Sequence, residues 1–212
     1  MGPLRARLRA AYYTRMYAFT PCAAGCGRPV LSSSSTCALH SADPTAEADR
    51  FAAFIADRIV VKDLNAAALS FNSVDFSNRK FFGCSFSSST FSLCLFTGAF
   101  LRMCFFDFCV FDGCDFSGSD VQFSTYGGST FRNCTFEGSE LVHVNFNGAT
   151  IAECTFNDSN LYNSRFISSR ISSTDFIDCN IKKTFFVKSR QERVSFKSSN
   201  TAEAIFDLEP SQ

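Results

Sequence analysis

At 212 residues the chain has room for one domain and a small accessory segment. Twenty basic and twenty acidic residues cancel, so no global field argues for nucleic acid or a membrane surface. No apolar run reaches the ~18–20 residues of a membrane span.

Residues 1–19 read as a short basic helix. Pro3 suits a first helical position, and Leu4, Leu8, Tyr12 and Met16 fall at i, i+4 spacing with Arg5, Arg7, Arg9 and Arg15 around them. Such a segment suits docking on the rest of the chain or on a partner, or contact with an anionic surface.

Cys22 to His40 carries metal-site chemistry. Three residues separate Cys22 from Cys26, and two separate Cys37 from His40, after a spacer of ten. Three soft thiolates and one imidazole make a Cys3His set for structural, tetrahedral zinc. Gly25, Gly27 and Pro29 allow the sharp turns that close pairs need. The segment resembles short treble-clef or knuckle-like zinc modules in general form. Two alternatives stay open here. Ala23, Ala24, Gly25 and Cys26 form a weak lipobox, which would make the protein a membrane-anchored lipoprotein, although Arg15 and Pro21 interrupt the apolar core such a signal needs. The cysteines could also be plain loop residues.

Asp43 and Pro44 mark a helix start. Ala48, Phe51, Ala52, Ile55 and Ile59 form one apolar stripe at helical spacing, suited to capping the first coil of a repeat array. Ile59 to Val61 reads as an entry strand. Leu64 and Leu69 sit out of phase with Phe71, so the regular pattern is expected to start between 66 and 71. The organisation predicted is 1–43 (basic helix and zinc segment), 44–62 (capping helix and entry strand) and 63–212 (repeats).

From Phe71 to Phe206 every fifth residue is large and apolar, except Gln191 and Thr201. A period of five fits neither a helix face nor a flat strand, and a fixed short repeat is the mark of a solenoid. Two residues before each centre sits a small side chain. Eight of the eleven cysteines (Cys84, Cys94, Cys104, Cys109, Cys114, Cys134, Cys154, Cys179) occupy this register, where Cys acts as a compact buried hydrophobe. That use of Cys points to a reducing, cytoplasmic compartment. Two residues after the centre Gly recurs, as a tight turn would use it. Every tenth centre from Phe76 is Phe, apart from Tyr126, so two opposite faces should each carry an inward aromatic ladder.

These pentads resemble the pentapeptide repeat family, in a Phe-rich variant whose usual Ala position is mostly Ser or Cys. Asp or Asn before the centre survives at Asp75, Asp115, Asp120, Asn145, Asn160, Asp175, Asn180 and Asn200. The resemblance implies an all-β solenoid, a right-handed quadrilateral β-helix of four pentads per coil. The 28 centres then make about seven coils and a rod of roughly 30–35 Å. It also suggests a bacterial protein, with a homodimer as one option, while the invested core, exposed apolar groups and lack of a catalytic cluster point to a non-enzymatic protein-binding scaffold. Some family members imitate duplex DNA and inhibit topoisomerases such as gyrase; that alternative needs an acidic surface along much of the rod.

Outward positions carry function in a solenoid. Leu93, Leu95, Phe100, Met103, Phe105, Phe108 and Val110 all lie off the inward registers, with Phe82 and Phe123 flanking them, and apolar groups in such number point to an interface with another protein. They spread around a whole turn, so coverage by the N-terminal segment on one side and a partner on another is expected. Acids dominate between 103 and 164 and bases between 165 and 197, a pattern fit for docking or for a solvated surface. His143 is the single repeat histidine and its one-coil neighbours would be Phe123 and Asn163, neither an acid–base partner, so no catalytic residue is predicted. Nucleic-acid binding through the zinc segment and the early arginines is a further alternative, and nucleic acid is otherwise not expected.

Overall fold

The structure, a computed structural model, describes residues 20–207. The basic helix expected at 1–19 lies outside them. Twelve short strands form two parallel sheets. Strands β1 (Val60–Lys62), β3 (Lys80–Phe82), β5 (Phe100–Arg102), β7 (Asp120–Gln122) and β9 (Glu140–Val142) stack in one. Strands β2 (Ser70–Asn72), β4 (Thr90–Ser92), β6 (Val110–Asp112), β8 (Thr130–Arg132), β10 (Thr150–Ala152), β11 (Arg170–Asp175) and β12 (Arg190–Ser195) stack in the other. Every strand pair has a register of twenty residues, as in Phe71↔Phe91 and Phe81↔Leu101. The remaining two faces are joined by single bridges in the same register, such as Asn65↔Ser85 and Asp75↔Leu95. A coil is therefore four pentads, and seven rungs follow from the seven-stranded sheet. The four faces are named below by their inward Phe71, Phe76, Phe81 and Phe86.

The side chains explain this shape. Large centres fill the interior, and the rings of the Phe76 and Phe86 faces stack coil on coil. Phe76 lies 4.7 Å from Phe96 and Phe136 lies 4.5 Å from Phe156, nearly parallel. The Phe86 ladder runs through Phe106, Tyr126, Phe146, Phe166 and Phe186 to Phe206. Each such contact adds about 0.5–1.5 kcal/mol to simple burial. The other two faces shift to aliphatics, Leu101, Val121 and Leu141 on one, Ile151 and Ile171 on the other.

Small residues two before each centre do more than fill space. Ser129 Oγ donates to the carbonyl of Phe106 at 2.6 Å, and Ser164 Oγ donates to that of Leu141 at 2.6 Å. The thiols copy this: Cys109 donates to Phe86 O at 3.1 Å and Cys179 to Phe156 O at 3.0 Å. Burial pushes the Cys109 thiol up to about 12 and that of Cys179 up to about 11, so both stay protonated near neutrality. Asp and Asn before the centre accept from the backbone two residues on, as Asp75 does from Ser77 at 2.8 Å and Asn145 does from Asn147 at 2.9 Å.

The chain reaches the repeats differently from the expectation. Val61 is already an inward centre, paired with Phe81, and Ala66 is the next. Leu64 and Leu69 are not out of phase; they occupy the small position, buried before Ala66 and Phe71. A large residue at the small site accompanies a small one, Ala66, at the large site, so volume is conserved. Helix α1 (Pro44–Ala56) has Pro44 in its first turn, and the Asp43 carboxylate caps Ala46 N at 2.9 Å. It buries Ala48, Phe51 and Ile55 against the first coil. Ile59 lies beyond its end and is exposed rather than part of the stripe. At the far end Gln191 and Thr201 are exposed, and Phe196 and Phe206 are only partly covered.

Tyr126 interrupts the Phe86 ladder. It is fully buried, and its Oη has no hydrogen-bond partner among the described residues. An orphaned buried hydroxyl costs about 1–3 kcal/mol. Tyr126→Phe should therefore raise the melting temperature; a lower one would mean the hydroxyl is satisfied.

Candidate metal centre and interface

Residues 20–41 form a small module at the open end of the first coil. Gly25 and Gly27 take left-handed backbone angles of +73° and +74°, which turns the chain between Cys22 and Pro29. A single three-residue 3-10 turn, Ala38–His40, brings His40 back beside Cys37. The ligand atoms of Cys22, Cys26, Cys37 and His40 all lie within 4.8 Å of one another. His40 Nδ1 is 3.6 Å from Cys22 Sγ and 3.5 Å from Cys37 Sγ, and Cys26 Sγ is 3.7 Å from Cys37 Sγ. The structure thus brings together the four residues that the spacing selects, as a Cys3His group at metal-binding distance. Cys26 sits inside this cluster, facing Cys37.

The surroundings favour charged sulfur at two of the three thiols. The Cys37 backbone N–H points at Cys22 Sγ, at 3.4 Å, and holds that thiol below its ordinary value. The Arg28 backbone N–H does the same for Cys26. Burial raises Cys37. The module is tied to the rod through Asn65, which accepts from Ser32 N at 2.9 Å, and whose own N–H and side-chain amide donate to Ser32 Oγ and Val30 O at 2.8 and 2.7 Å. Leu31 is buried against the core. The module continues the Asn65 rung and covers the end of the Phe86 face.

The outward apolar residues divide into three groups. Phe82 and Phe100 are half-buried, their rings 5.6 Å apart with the Arg102 guanidinium 3.5 Å over Phe100. Leu93 and Leu95 lie between the Phe71 and Phe76 faces, where Leu93 rests on bare Gly113. Met103, Phe105, Phe108 and Val110 follow one another around the Phe86 face, with Phe123 one rung beyond Met103. Within residues 20–56 nothing covers this third group, and Phe108 and Phe123 are 71% and 59% exposed.

Their backbone sharpens the observation. All residues two after a centre, from Asp63 to Ser198, have φ between +47° and +68°. The turn imposes this on every pentad, where Gly, Asn or Asp is least strained. Leu93, Met103, Phe108 and Phe123 are bulky residues in that conformation, which costs an L-residue about 1–2 kcal/mol. Phe108 recovers a little by packing against Gly128.

His143 also occupies such a corner. Its ring stacks on Phe123 at 5.0 Å and 10°, and Tyr162 meets it edge-on at 5.9 Å. Asn163 Nδ2 donates to His143 Nδ1 at 2.7 Å. Beside it is a cleft of about 210 Å³ lined by Phe123, His143, Val144, Asn145, Asn163 and Arg165. Sequence reasoning identified His143 and its two neighbours but missed the cleft and Arg165. The signal was present: Asn145 and Arg165 lie one twenty-residue rung apart and two residues on from His143 and Asn163.

Comparison with known proteins agrees with this repeat. The model of the pentapeptide repeat region matches residues 129–206, and that of eight pentapeptide repeats matches residues 89–122. The chain belongs to the pentapeptide repeat family. No curated protein matches its sequence. Among solved structures it is similar to QnrB1, a plasmid-mediated fluoroquinolone resistance protein, at 16% identity over 66% of this chain and 81% of that one, with a TM-score of 0.43. It is also similar to HetL, a pentapeptide repeat protein involved in heterocyst differentiation regulation in the cyanobacterium Nostoc, at 10% identity over 74% and 95% of the two chains (TM-score 0.34). A pentapeptide repeat protein of the Arabidopsis thaliana thylakoid lumen matches at 14% identity over 65% and 71% (TM-score 0.30). At these scores the superpositions bear on neither site nor partner. Among the described residues no helix is long and apolar enough to cross a membrane.

Proposed function

We propose that this protein is a binding scaffold, a rigid rod that presents Met103, Phe105, Phe108 and Phe123 to a protein partner and is closed at its N-terminal end by a structural zinc ion. The observation that carries the reading is the placement of large apolar side chains at exposed positions where the fold gains little from them. They are exposed, and three of the four hold a backbone conformation that disfavours them. Strain of this kind gathers at sites used for something other than stability.

Zinc is the ion that suits the module. Bonds of about 2.3 Å to sulfur and about 2.0–2.1 Å to nitrogen at tetrahedral angles put S···S near ~3.8 Å and S···N near ~3.6 Å. Three of the six ligand pairs, at 3.7, 3.6 and 3.5 Å, match, and all six lie within 4.8 Å. Four protein ligands fill the coordination sphere, which suits a structural role over a catalytic one. The geometry also supports Cys26 as a ligand rather than a lipid attachment point.

A DNA-mimicking topoisomerase inhibitor would present unpaired acids along the rod. Here Asp120 is bridged to Arg102 at 2.6 Å, and residues 165–197 carry eight bases against three acids. No observation favours that alternative.

Protein purified without chelator should contain about one zinc per chain, and a Cys22→Ser, Cys37→Ser variant should contain none; equal zinc in both would remove the ion from this site. The docking edge is tested by a photo-crosslinking residue at 108, with a control at Thr97. A discrete adduct specific to 108, competed by excess native protein and lost in Phe123→Ser, is the expected result. Phe108→Gly should abolish competition while leaving stability unchanged or raised by about 1 kcal/mol. Equal adducts at 97 and 108 would contradict the reading.

A further inference from the structure

We propose that the cleft beside His143 receives a carboxylate that the partner carries next to an apolar side chain. The inference rests on the reading of this edge as a docking surface and names the chemistry of what docks.

Arg165 is the cation of the cleft. It is exposed, and among the described residues its guanidinium has no ion pair and no hydrogen bond. Its rung neighbours are Asn145 and Phe185, neither of them acidic. On the adjacent face the Glu140 carboxylate is engaged by Asn160 at 2.7 Å. Arg102 and Lys182, in contrast, already have acidic partners, Asp120 and Glu203. A guanidinium offers paired donors that match a carboxylate.

The imidazole is set beside it. Asn163 donates to Nδ1, so the neutral ring carries its proton on Nε2, leaving that N–H as a second donor. The stack on Phe123 and the edge contact with Tyr162 hold the ring plane. An oriented donor recognises an anion better than a mobile one, because less entropy is lost on binding.

Phe123 sets the second requirement. One face of its ring is covered by His143, and the side chain remains 59% exposed, continuous with Met103 and Phe105. Phe123 and His143 stack in one column and Asn145 and Arg165 stand in the next, so the cleft offers an aromatic surface and an N–H on one wall and a guanidinium on the other. An acidic side chain or chain terminus flanked by Leu or Phe would satisfy both, whereas a lone anion or a lone apolar group would satisfy one.

The smallest probe with both features is 3-phenylpropionate. Titrated into the native protein and followed by NMR of the His and Arg side-chain nitrogens, it should give saturable millimolar shifts at His143 and Arg165. Arg165→Gln should weaken binding roughly tenfold, the effect of removing one charge-assisted contact. The neutral analogue 3-phenylpropan-1-ol should bind at least as weakly as 3-phenylpropionate does to that variant. Equal affinity for acid and alcohol, or for native and Arg165→Gln protein, would overturn the proposal, as would shifts that never saturate. Crosslinking at 108 does not involve Arg165, so the docking edge can survive this result, and the cleft can survive failure at 108.

Discussion

The rod depends on one constraint, the twenty-residue register that sets like on like from coil to coil. It places Phe over Phe on two faces and lets rings 4.5–5.2 Å apart stack through the interior. The same register aligns the small residues so that hydroxyls and thiols such as those of Ser129 and Cys109 reach a carbonyl of the coil before them. It forces every corner into the left-handed region. A one-residue slip would send each centre to the surface, so the register is held by burial along the whole rod. Because each coil touches only its neighbours, the energetics are close to one-dimensional, and the two ends become the places where the fold must be finished.

The ends are finished unequally. At the start, α1 covers the Phe71 side and the Cys3His module lies on the Asn65 rung. Edge strands left open invite pairing with other chains, and a module closed by the proposed zinc ion would be a compact way to cover one in a segment too short for its own core. At the other end Gln191 and Thr201 stand where large apolar centres stood, and the last rings are only partly covered. The proposed docking edge lies between, on coils whose interior is fully packed, so a side chain such as Phe108 could serve binding without weakening the core.

Much of this was legible in the sequence. The pentad fixes faces and coils because a period of five is incompatible with other regular structures, and the cysteine spacing selects the four clustered residues. Three things were hidden for physical reasons. Leu64 and Leu69 looked out of phase because the small position can hold Leu, with volume exchanged against Ala66 in the first case, so residue size alone misassigns them. Glycine at the corners suggested that only some turns need left-handed backbone; all of them do, and the exposed Phe and Met at those corners gain their meaning only from that angle. The cleft beside His143 joins two columns of different pentads, and linear spacing does not say which outward columns face each other across a corner.

Amide hydrogen exchange read residue by residue tests the central claim most directly. Stacking in register predicts strong, nearly uniform protection from Val61 through the coil ending at Phe186, including the rung at Tyr126. Protection should then fall beyond Gln191, where Gln191 and Thr201 replace apolar centres and Phe196 and Phe206 are only partly covered. A break inside the ladder, or protection undiminished to residue 207, would show that coil-on-coil stacking of the large centres is not what holds the rod together.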